Sequence, residues 1–358
     1  MALNYNYTPF FKFKGNEVAG LSMLNSRLKE ELTPFFDFAR KDGMSRLDFE
    51  KSVAVCAKKA KKYLKEFSYI FIDSFDIPDS IAYATTPNCR VIIEEFFDFE
   101  YVPVIGLDRA ANHNKAIFDA KAKGEIISDK VAIRFQPEEF SSFNLIESEL
   151  LDLIRKGTIF FSDWIFIFDC RVCLQSNRLK LASEIANFTL SADKAFEVGK
   201  YIVVGSSIPA SITDIAKPSD ESLVPRAELE IFHTAQSMAE GIVLSLGDYT
   251  IVSPLYSDLT IAPELLLSVT APKVFYTYEH QHYIARGGRI KTGGYGQYDS
   301  ICVEISQKSF YRKSHYSWGD NFIQERADGK GSNNVTPSTI LKPTICAHIE
   351  YMSRDYPK

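Results

Sequence analysis

The segment Trp164-Ile165-Phe166-Ile167-Phe168-Asp169 is an apolar run that ends in a carboxylate, and a helical stretch follows it. Three more apolar runs end in a charged residue, namely Phe10-Phe11-Lys12-Phe13-Lys14, Pro34-Phe35-Phe36-Asp37 and Ile70-Phe71-Ile72-Asp73. Apolar strands that alternate with helices are typical of a parallel sheet, which binds its ligands at the carboxyl ends of the strands. Each terminal charge is therefore a candidate site residue, and the run before it is predicted core.

The alternation of strand and helix continues along most of the chain. It predicts strands over residues 7–13, 34–38, 69–75, 101–107, 130–135, 164–169 and 201–205. An eighth strand is ambiguous among 243–246, 249–252 and 274–278, because all three are short and rich in β-forming residues. We predict an α/β fold, a TIM-like β/α barrel over residues 1–270.

Two segments depart from this pattern. Residues 206–222 are rich in Ser, Pro and Asp, which predicts a long functional loop or lid. Residues 273–278 and 282–286 predict a hairpin, and the glycine-rich segment 287–296 is interpreted as a flexible hairpin tip. We expect residues 271–358 to form a hairpin and cap that pack on the barrel as one structural unit with it.

Composition and charge narrow the range of partners. The 358 residues are 46% hydrophobic and 13% aromatic, as in a well-packed globular protein. A formal net charge of -5 gives no general attraction for nucleic acid or an anionic membrane, so nucleic-acid binding would need a local basic patch such as 286–291. The six cysteines are scattered, no secretory leader is visible, and no apolar segment approaches the about 20 residues of a membrane span. We therefore expect a cytoplasmic protein with no membrane partner.

Asp37, Asp73 and Asp169 are the candidate catalytic residues. Carboxylates on neighbouring strand ends can share a metal ion or divide the acid and base roles of a reaction. The structural alternative is that each caps the following helix or joins a buried ring of ion pairs with a nearby arginine, namely Arg40, Arg134 or Arg171.

Arg134, Lys14 and Ser207 are candidate ligand-binding residues. Arg134 lies inside the fifth strand, where a charge is costly unless it is paired or faces the barrel mouth. It could bind a phosphate or carboxylate through two hydrogen bonds, and an ion pair with a rim aspartate is the equal alternative. Lys14 precedes a glycine turn where a helix N-terminus would favour an anion, although capping by Glu17 competes. Ser207 could bind phosphate after the seventh strand.

Established metal and nucleophile motifs are missing from the sequence. Cys170-Arg171-Val172-Cys173 is a lone pair of thiols with no second pair at zinc-site spacing, and the six histidines form no ligand motif. The Gly-x-Ser-x-Gly motif of hydrolases does not occur. We predict no metal site, and the sequence identifies no cofactor.

Several segments resemble the satellite-phage beta protein family. Two long matches cover residues 7–21 and 33–37. Shorter matches follow in the order and spacing of the family: Arg226-Ala227-Glu228, Gly247-Asp248-Tyr249, Tyr276-Thr277-Tyr278, Arg286-Gly287 and Ser317-Trp318-Gly319-Asp320. The chain departs from the family pattern at Asn16 and at Ser338-Thr339.

The resemblance implies a barrel-like fold and an association with phage or mobile-element cassettes that exclude other phages and kill the host. The polar positions where the chain matches the family are Asp37, Arg226, Glu228, Asp248, Arg286 and Asp320. Arg226, Glu228, Asp248 and Arg286 therefore join the candidate ligand-binding residues.

Two functional hypotheses follow. In the first, the protein is a component of a phage-encoded anti-phage defence or killing-control cassette, similar to a toxin–antitoxin pair, and senses or restrains a protein partner from the same cassette. In the alternative, it is a barrel enzyme that acts on a phosphorylated or nucleotide substrate, a phosphate-bearing small molecule, at the strand ends. Convergence of the site residues in one pocket would favour the enzyme, and dispersal into separate ion pairs would favour the binding protein.

Overall fold

Eight parallel strands close into a barrel in the computed structural model, which describes residues 7–81, 86–256, 266–331 and 334–356. The strands in these ranges are β1 (Thr8–Lys12), β2 (Phe35–Asp37), β3 (Phe71–Asp73), β4 (Val102–Ile105), β5 (Lys130–Phe135), β6 (Asp163–Val172), β7 (Lys200–Ser206), β8 (Glu221–Pro225), β9 (Leu244–Asp248), β10 (Lys273–Tyr278) and β11 (Gln281–Arg286). The barrel order is β1-β2-β3-β4-β5-β6-β7-β9. The predicted TIM-like barrel is confirmed, and β9 is its eighth strand.

The helices of the described ranges either follow barrel strands and cover the outside of the barrel or pack with the C-terminal hairpin. They are α1 (Gly15–Leu21), α2 (Ser26–Glu31), α3 (Arg46–Tyr63), α4 (Cys89–Glu95), α5 (Ala111–Ala122), α6 (Pro137–Phe140), α7 (Phe143–Gly157), α8 (Arg178–Ala195), α9 (Ala227–Met238), α10 (Leu266–Val269), α11 (Ile290–Gly293), α12 (Gln297–Gln307), α13 (Trp318–Ala327) and α14 (Leu341–Arg354). Within the described ranges, none combines the length and apolar character needed to cross a membrane.

The barrel interior is a stack of apolar side chains from alternate strand positions. Phe10, Phe35 and Phe71 point inward, with ring centroids 4.0 Å apart for the first pair and 5.7 Å for the second. Because side chains alternate along a strand, the residue two places further on also points inward. Those residues are Lys12, Asp37 and Asp73, so the layer above the apolar interior is charged.

The predicted hairpin is confirmed as β10 and β11, which pair antiparallel from Lys273↔Arg286 to Tyr278↔Gln281. A third strand, β8, pairs with β11 on its other edge. The prediction of a loop over 206–222 is therefore wrong at its end, because residues 221 and 222 belong to β8. Within the described ranges β8 pairs with β11, and no local sequence pattern shows that pairing.

The glycine-rich segment 287–296 is not a hairpin tip. The hairpin turn lies at residues 279 and 280, and the glycines follow β11 into α11 and α12. Side chains from β10, β11, α12 and α13 form a core of their own, around Tyr276, Tyr298 and Ile323. Strand β8, from the predicted barrel range 1–270, thus shares a sheet with the predicted C-terminal hairpin.

Candidate functional site at the barrel mouth

Arg134 lies at the centre of the charged layer, fully buried at the carboxyl ends of the strands. Its Nη1 donates hydrogen bonds to Asp37 Oδ1 and Asp73 Oδ2, each at 2.9 Å. Its Nη2 donates to Asp169 Oδ2 at 2.7 Å and to the Tyr249 hydroxyl at 2.9 Å. The three candidate catalytic acids therefore meet around one guanidinium. We call these five residues the mouth network.

A second layer of charges covers the mouth network from the loop side. Arg109 Nη2 donates to Asp73 at 2.8 Å. Arg171 lies 3.6 Å from both Asp169 and Asp76, and Lys12 contacts Asp76 and lies 3.7 Å from Asp37. The inner layer has one cation and three carboxylates, so the three outer cations offset its excess negative charge, while Asp76 and Asp108, 3.6 Å from Arg109, add negative charge to the outer layer.

Phe75 packs over the mouth network. Its ring centroid lies 4.6 Å from the Arg134 guanidinium carbon, 4.8 Å from that of Arg109 and 5.1 Å from that of Arg171. An aromatic face attracts a cation at such distances. Phe75 therefore holds three like-charged guanidinium groups side by side and shields the ion pairs below from solvent.

The pKa values of the three acids diverge. Burial raises the pKa of each carboxyl, but for Asp37 the charges of Arg134 and Lys12 outweigh burial and leave its pKa below the ordinary value. The pKa of Asp169 is also lowered, because Arg134 and Arg171 overcome its burial. For Asp73 burial dominates and the pKa is raised. Its Oδ1 has no hydrogen-bond partner in the described part of the chain.

Polar groups beside Asp73 likewise have raised pKa values or buried atoms without a hydrogen-bond partner among the described residues. Burial raises the pKa of Glu139 to about 7, and it also raises the pKa of Asp108. Arg109 Nε and Glu139 Oε1 are buried without a hydrogen-bond partner among the described residues. Asp108 and Arg109 are close enough to Glu139 to shift its pKa. The ends of β3, β4 and β5 thus retain unused hydrogen-bonding capacity.

Four of the predicted ligand-binding residues form a different cluster, outside the barrel wall. Arg226 donates to Glu228 Oε1 at 2.7 Å and contacts Asp248 Oδ2. Ser207 donates to Glu228 Oε2 at 2.5 Å and accepts from the backbone N–H of Ala227 at 2.7 Å. All four side chains are buried. Their contacts are with one another and with neighbouring buried groups.

Tyr7 and His348 complete this cluster and connect the barrel to the C-terminal segment. The Tyr7 hydroxyl donates to Asp248 Oδ1 at 2.6 Å, and His348 Nε2 lies 3.1 Å from Asp248 Oδ2. His348 Nδ1 lies 2.7 Å from the Thr277 hydroxyl on β10. We call Tyr7, Ser207, Arg226, Glu228, Asp248 and His348 the clamp. It ties β1, β9 and α9 to α14 and the hairpin.

Burial also controls the charges in the clamp. It raises the pKa of Asp248, but His348 and Arg226 outweigh it, and the net pKa lies below the ordinary value. The pKa of His348 is lowered by burial despite its contact with Asp248. His348 is thus a neutral hydrogen-bonding group, and Asp248 is an ionised one.

Arg286 and Lys14 lie apart from both groups. Arg286 donates from Nη1 to the backbone carbonyl of Ala216 at 2.6 Å, and burial lowers its pKa. Lys14 is exposed just beyond β1, where it lines a cleft, and no side chain caps α1. Asp320, the remaining position of the family resemblance, is buried against Tyr276 and Ser317.

Several mouth residues were not among the candidates predicted from the sequence. Lys12 and Tyr249 could have been found, because each lies at an inward-facing position two residues beyond another inward residue. Arg109 lies in the loop between β4 and α5, which has no such periodicity. Arg171 has a left-handed backbone, φ 54°, where β6 departs from regular pairing with β7. Of the arginines considered as partners, Arg134 and Arg171 join the ring, whereas Arg40 stacks on Tyr256 at 5.3 Å.

The cysteines and histidines add no second site in the described ranges. Cys170 and Cys173 are buried, and the pKa of Cys173 is raised by its contact with Cys170 and by burial. No group of three or more His, Cys, Asp or Glu side chains in the described residues is placed to hold a metal ion.

The chain was compared with protein families, curated proteins and solved structures. A family model described as Beta protein matches residues 7–354, nearly the full length. No curated protein and no solved structure matches the chain.

Proposed function

Since the chain belongs to the beta protein family, we propose that it is a component of a phage-encoded anti-phage defence or killing-control cassette. In this proposal it acts in the cytoplasm and senses or restrains a protein partner from the same cassette. Family membership supports the fold assignment, and the cassette context comes from the resemblance described above. The geometry of the mouth bears on whether the protein binds or catalyses.

The observation that carries the proposal is that one buried guanidinium binds all three candidate catalytic acids. An acid or base is most effective when its pKa lies near the working pH, and it must reach the substrate. Asp37 and Asp169 have lowered pKa values and are buried beneath Phe75 and the outer cations. The acids converge, which by itself would favour the enzyme, but each is bound in a buried ion pair with Arg134, and this favours recognition over turnover.

The rim of the mouth offers apolar contacts for a partner. Leu174 and Leu179, after β6 and in the first turn of α8, are 56% and 63% exposed, and Leu145 is exposed at the start of α7. Exposed apolar side chains grouped at one face are typical of protein-binding surfaces. In α/β barrels this face also carries function. We therefore place the partner-binding surface at this rim.

The test is recovery of a partner encoded by a neighbouring gene. Tagged protein is purified from cells that carry the whole cassette, as the wild type and as the double variant Leu174→Glu/Leu179→Glu. We expect a stoichiometric partner with the wild type and at least tenfold less with the double variant. Ile159→Glu is the matched control, because Ile159 is 79% exposed at the opposite end of the barrel. Recovery of no stoichiometric partner would contradict the proposal.

A second candidate function is an enzyme acting on a phosphorylated or nucleotide substrate. The observation in its favour is Asp73, whose raised pKa and unpartnered Oδ1 suit a proton donor. Asp73→Asn and Asp169→Asn should then abolish protection of cells against phage while the protein remains folded. Asp152→Asn, at an exposed ion pair on α7, is the control. Full protection by both mouth variants would exclude the enzyme.

A further inference from the structure

A cleft of about 610 Å³ opens beside the mouth, beyond the ends of β1 and β2. The first residue of α1 and residues 48–59 of α3 form part of its walls. Four lysines line it, Lys14, Lys41, Lys51 and Lys59, and we call it the lysine cleft. Lys59 reaches across to α1, since a Cβ at Gly15 would lie 2.8 Å from its Nζ. Cations from three separate segments therefore converge.

These lysines lack the partners that other lysines have. None of the four forms an ion pair with a carboxylate in the described ranges, whereas Lys61, on the same helix as Lys59, pairs with Asp98. Two carboxylates line the cleft. Asp48 is already bound by the Ser45 N–H at 3.1 Å and by its hydroxyl at 2.6 Å, which lower its pKa. Two carboxylates therefore face four lysines, and the cleft keeps an excess of positive charge.

A concentrated positive charge is unusual for this chain, whose net charge is -5. Unpaired cations around one cleft repel one another, and an anion in the cleft would remove that repulsion. The floor of the cleft is apolar, with Phe13, Met44 and Val55. Ligand pockets in proteins have volumes of roughly 300–1,000 Å³, and they combine apolar walls with a few charged groups. The cleft fits this description.

We propose that the lysine cleft binds a nucleoside di- or triphosphate. The lysines bind the phosphate chain as point charges, and the apolar floor contacts the base or sugar. The site is separate from the mouth network and from the rim that carries Leu145, Leu174 and Leu179. The inference therefore does not depend on the proposed partner binding, and each can fail alone.

The test is calorimetric titration of the full-length protein with ATP, ADP, inorganic pyrophosphate and adenosine, at low and at physiological salt. We expect ATP and ADP to bind with submillimolar dissociation constants, pyrophosphate more weakly, and adenosine not at all. Affinity should fall with added salt, because the contacts are between exposed charges. No binding of ATP, ADP or pyrophosphate at 1 mM ligand would overturn the proposal.

Variants locate the site. Lys14→Ala/Lys51→Ala and, separately, Lys59→Met should each weaken ATP binding at least tenfold with unchanged circular dichroism. Lys58→Ala is the matched control, since Lys58 is exposed on α3 next to Lys59 but outside the cleft, and it should leave affinity within twofold. Equal losses in the control and the cleft variants would overturn the assignment. So would lysine-dependent binding of an oligonucleotide at least tenfold tighter than ATP, which would identify a nucleic-acid surface.

Discussion

The mouth network and the clamp are both built on a fully buried arginine that binds at least one carboxylate from a strand end, yet they lie on opposite sides of the barrel wall. The cause is strand periodicity. Arg134 follows the inward residue Ala132 by two places, whereas Asp248 follows Leu246, which packs outward against the helices. A charge at a strand end thus faces the mouth or the outer shell according to its position relative to the inward residues.

The two clusters also differ in how completely their hydrogen bonds are made. In the clamp, both oxygens of Asp248 are used, by Tyr7, Arg226, His348 and the N–H of Thr250. In the mouth, Asp73 Oδ1 has no partner among the described residues. A saturated cluster joins parts of the fold, and an unsaturated one can still accept a ligand. Burial and charge alone do not distinguish these roles.

Removing either arginine should have the largest effect. We expect Arg134→Met and Arg226→Met each to lower the free energy of unfolding by about 3–5 kcal/mol, with Arg134→Met the more severe, because buried carboxylates lose their counter-charge. Urea denaturation followed by circular dichroism measures this. Arg178→Met removes an exposed pair with Glu230 and should cost less than about 1 kcal/mol. A loss under 1 kcal/mol for Arg134→Met would show that the outer cations already balance the mouth.

Neutralising one carboxylate in each cluster should lower the free energy of unfolding by different amounts in the two clusters. Asp248→Asn weakens the hydrogen bonds of a saturated carboxylate with four partners, so we expect a loss of about 2–4 kcal/mol. Asp73→Asn should change stability by less than about 1 kcal/mol, because the raised pKa of Asp73 means that folding disfavours its charged form. The measurement is urea denaturation at pH 7. Equal losses would contradict the contrast between saturated and unsaturated clusters.

The smallest expected effect is a change in pH dependence. The pKa of His348 is lowered in the fold, so the unfolded chain binds more protons below about pH 6.5. His348 therefore makes the wild type less stable as the pH falls from 7 to 5. His348→Gln keeps a donor toward Asp248 but does not titrate. The stability advantage of the wild type over this variant should shrink by about 1 kcal/mol over that range. A constant difference would show that folding leaves the pKa of His348 unchanged, and an advantage that grows as the pH falls would show that His348 stays protonated in the fold.

Most of the barrel could be predicted from the sequence, because apolar strands and amphipathic helices carry local signals. Residues 130–135 match β5 as predicted. The helical stretch after β1 divides into α1 and α2, because Asn25 caps a new helix by accepting from the Leu28 N–H at 2.9 Å. The eighth strand was ambiguous, since three short β-rich segments compete and only closure against β1 selects Leu244–Asp248.

The site was predictable only in part. Asp37, Asp73 and Asp169 were candidates because each ends an apolar run, and the three meet around Arg134. Arg134 was a candidate because a charge inside a strand needs a partner or an opening. The sequence gives no local sign that Arg226 and Glu228 would meet His348, about 120 residues later in the chain. Such contacts depend on how α14 returns to the barrel, which is a property of the tertiary fold.

The pairing of β8 with β11 has a consequence for how the protein is made. Pro225 on β8 and its partner Gln281 are separated by 56 residues in the chain. At about 5–20 residues per second, a ribosome needs roughly 3–11 s to synthesise that interval. During this time β8 has emerged with neither edge occupied, and an open strand edge is a template for aggregation. We therefore expect the nascent chain to depend most on chaperones, and truncated chains to aggregate most readily, when synthesis has passed Pro225 but not yet reached Gln281.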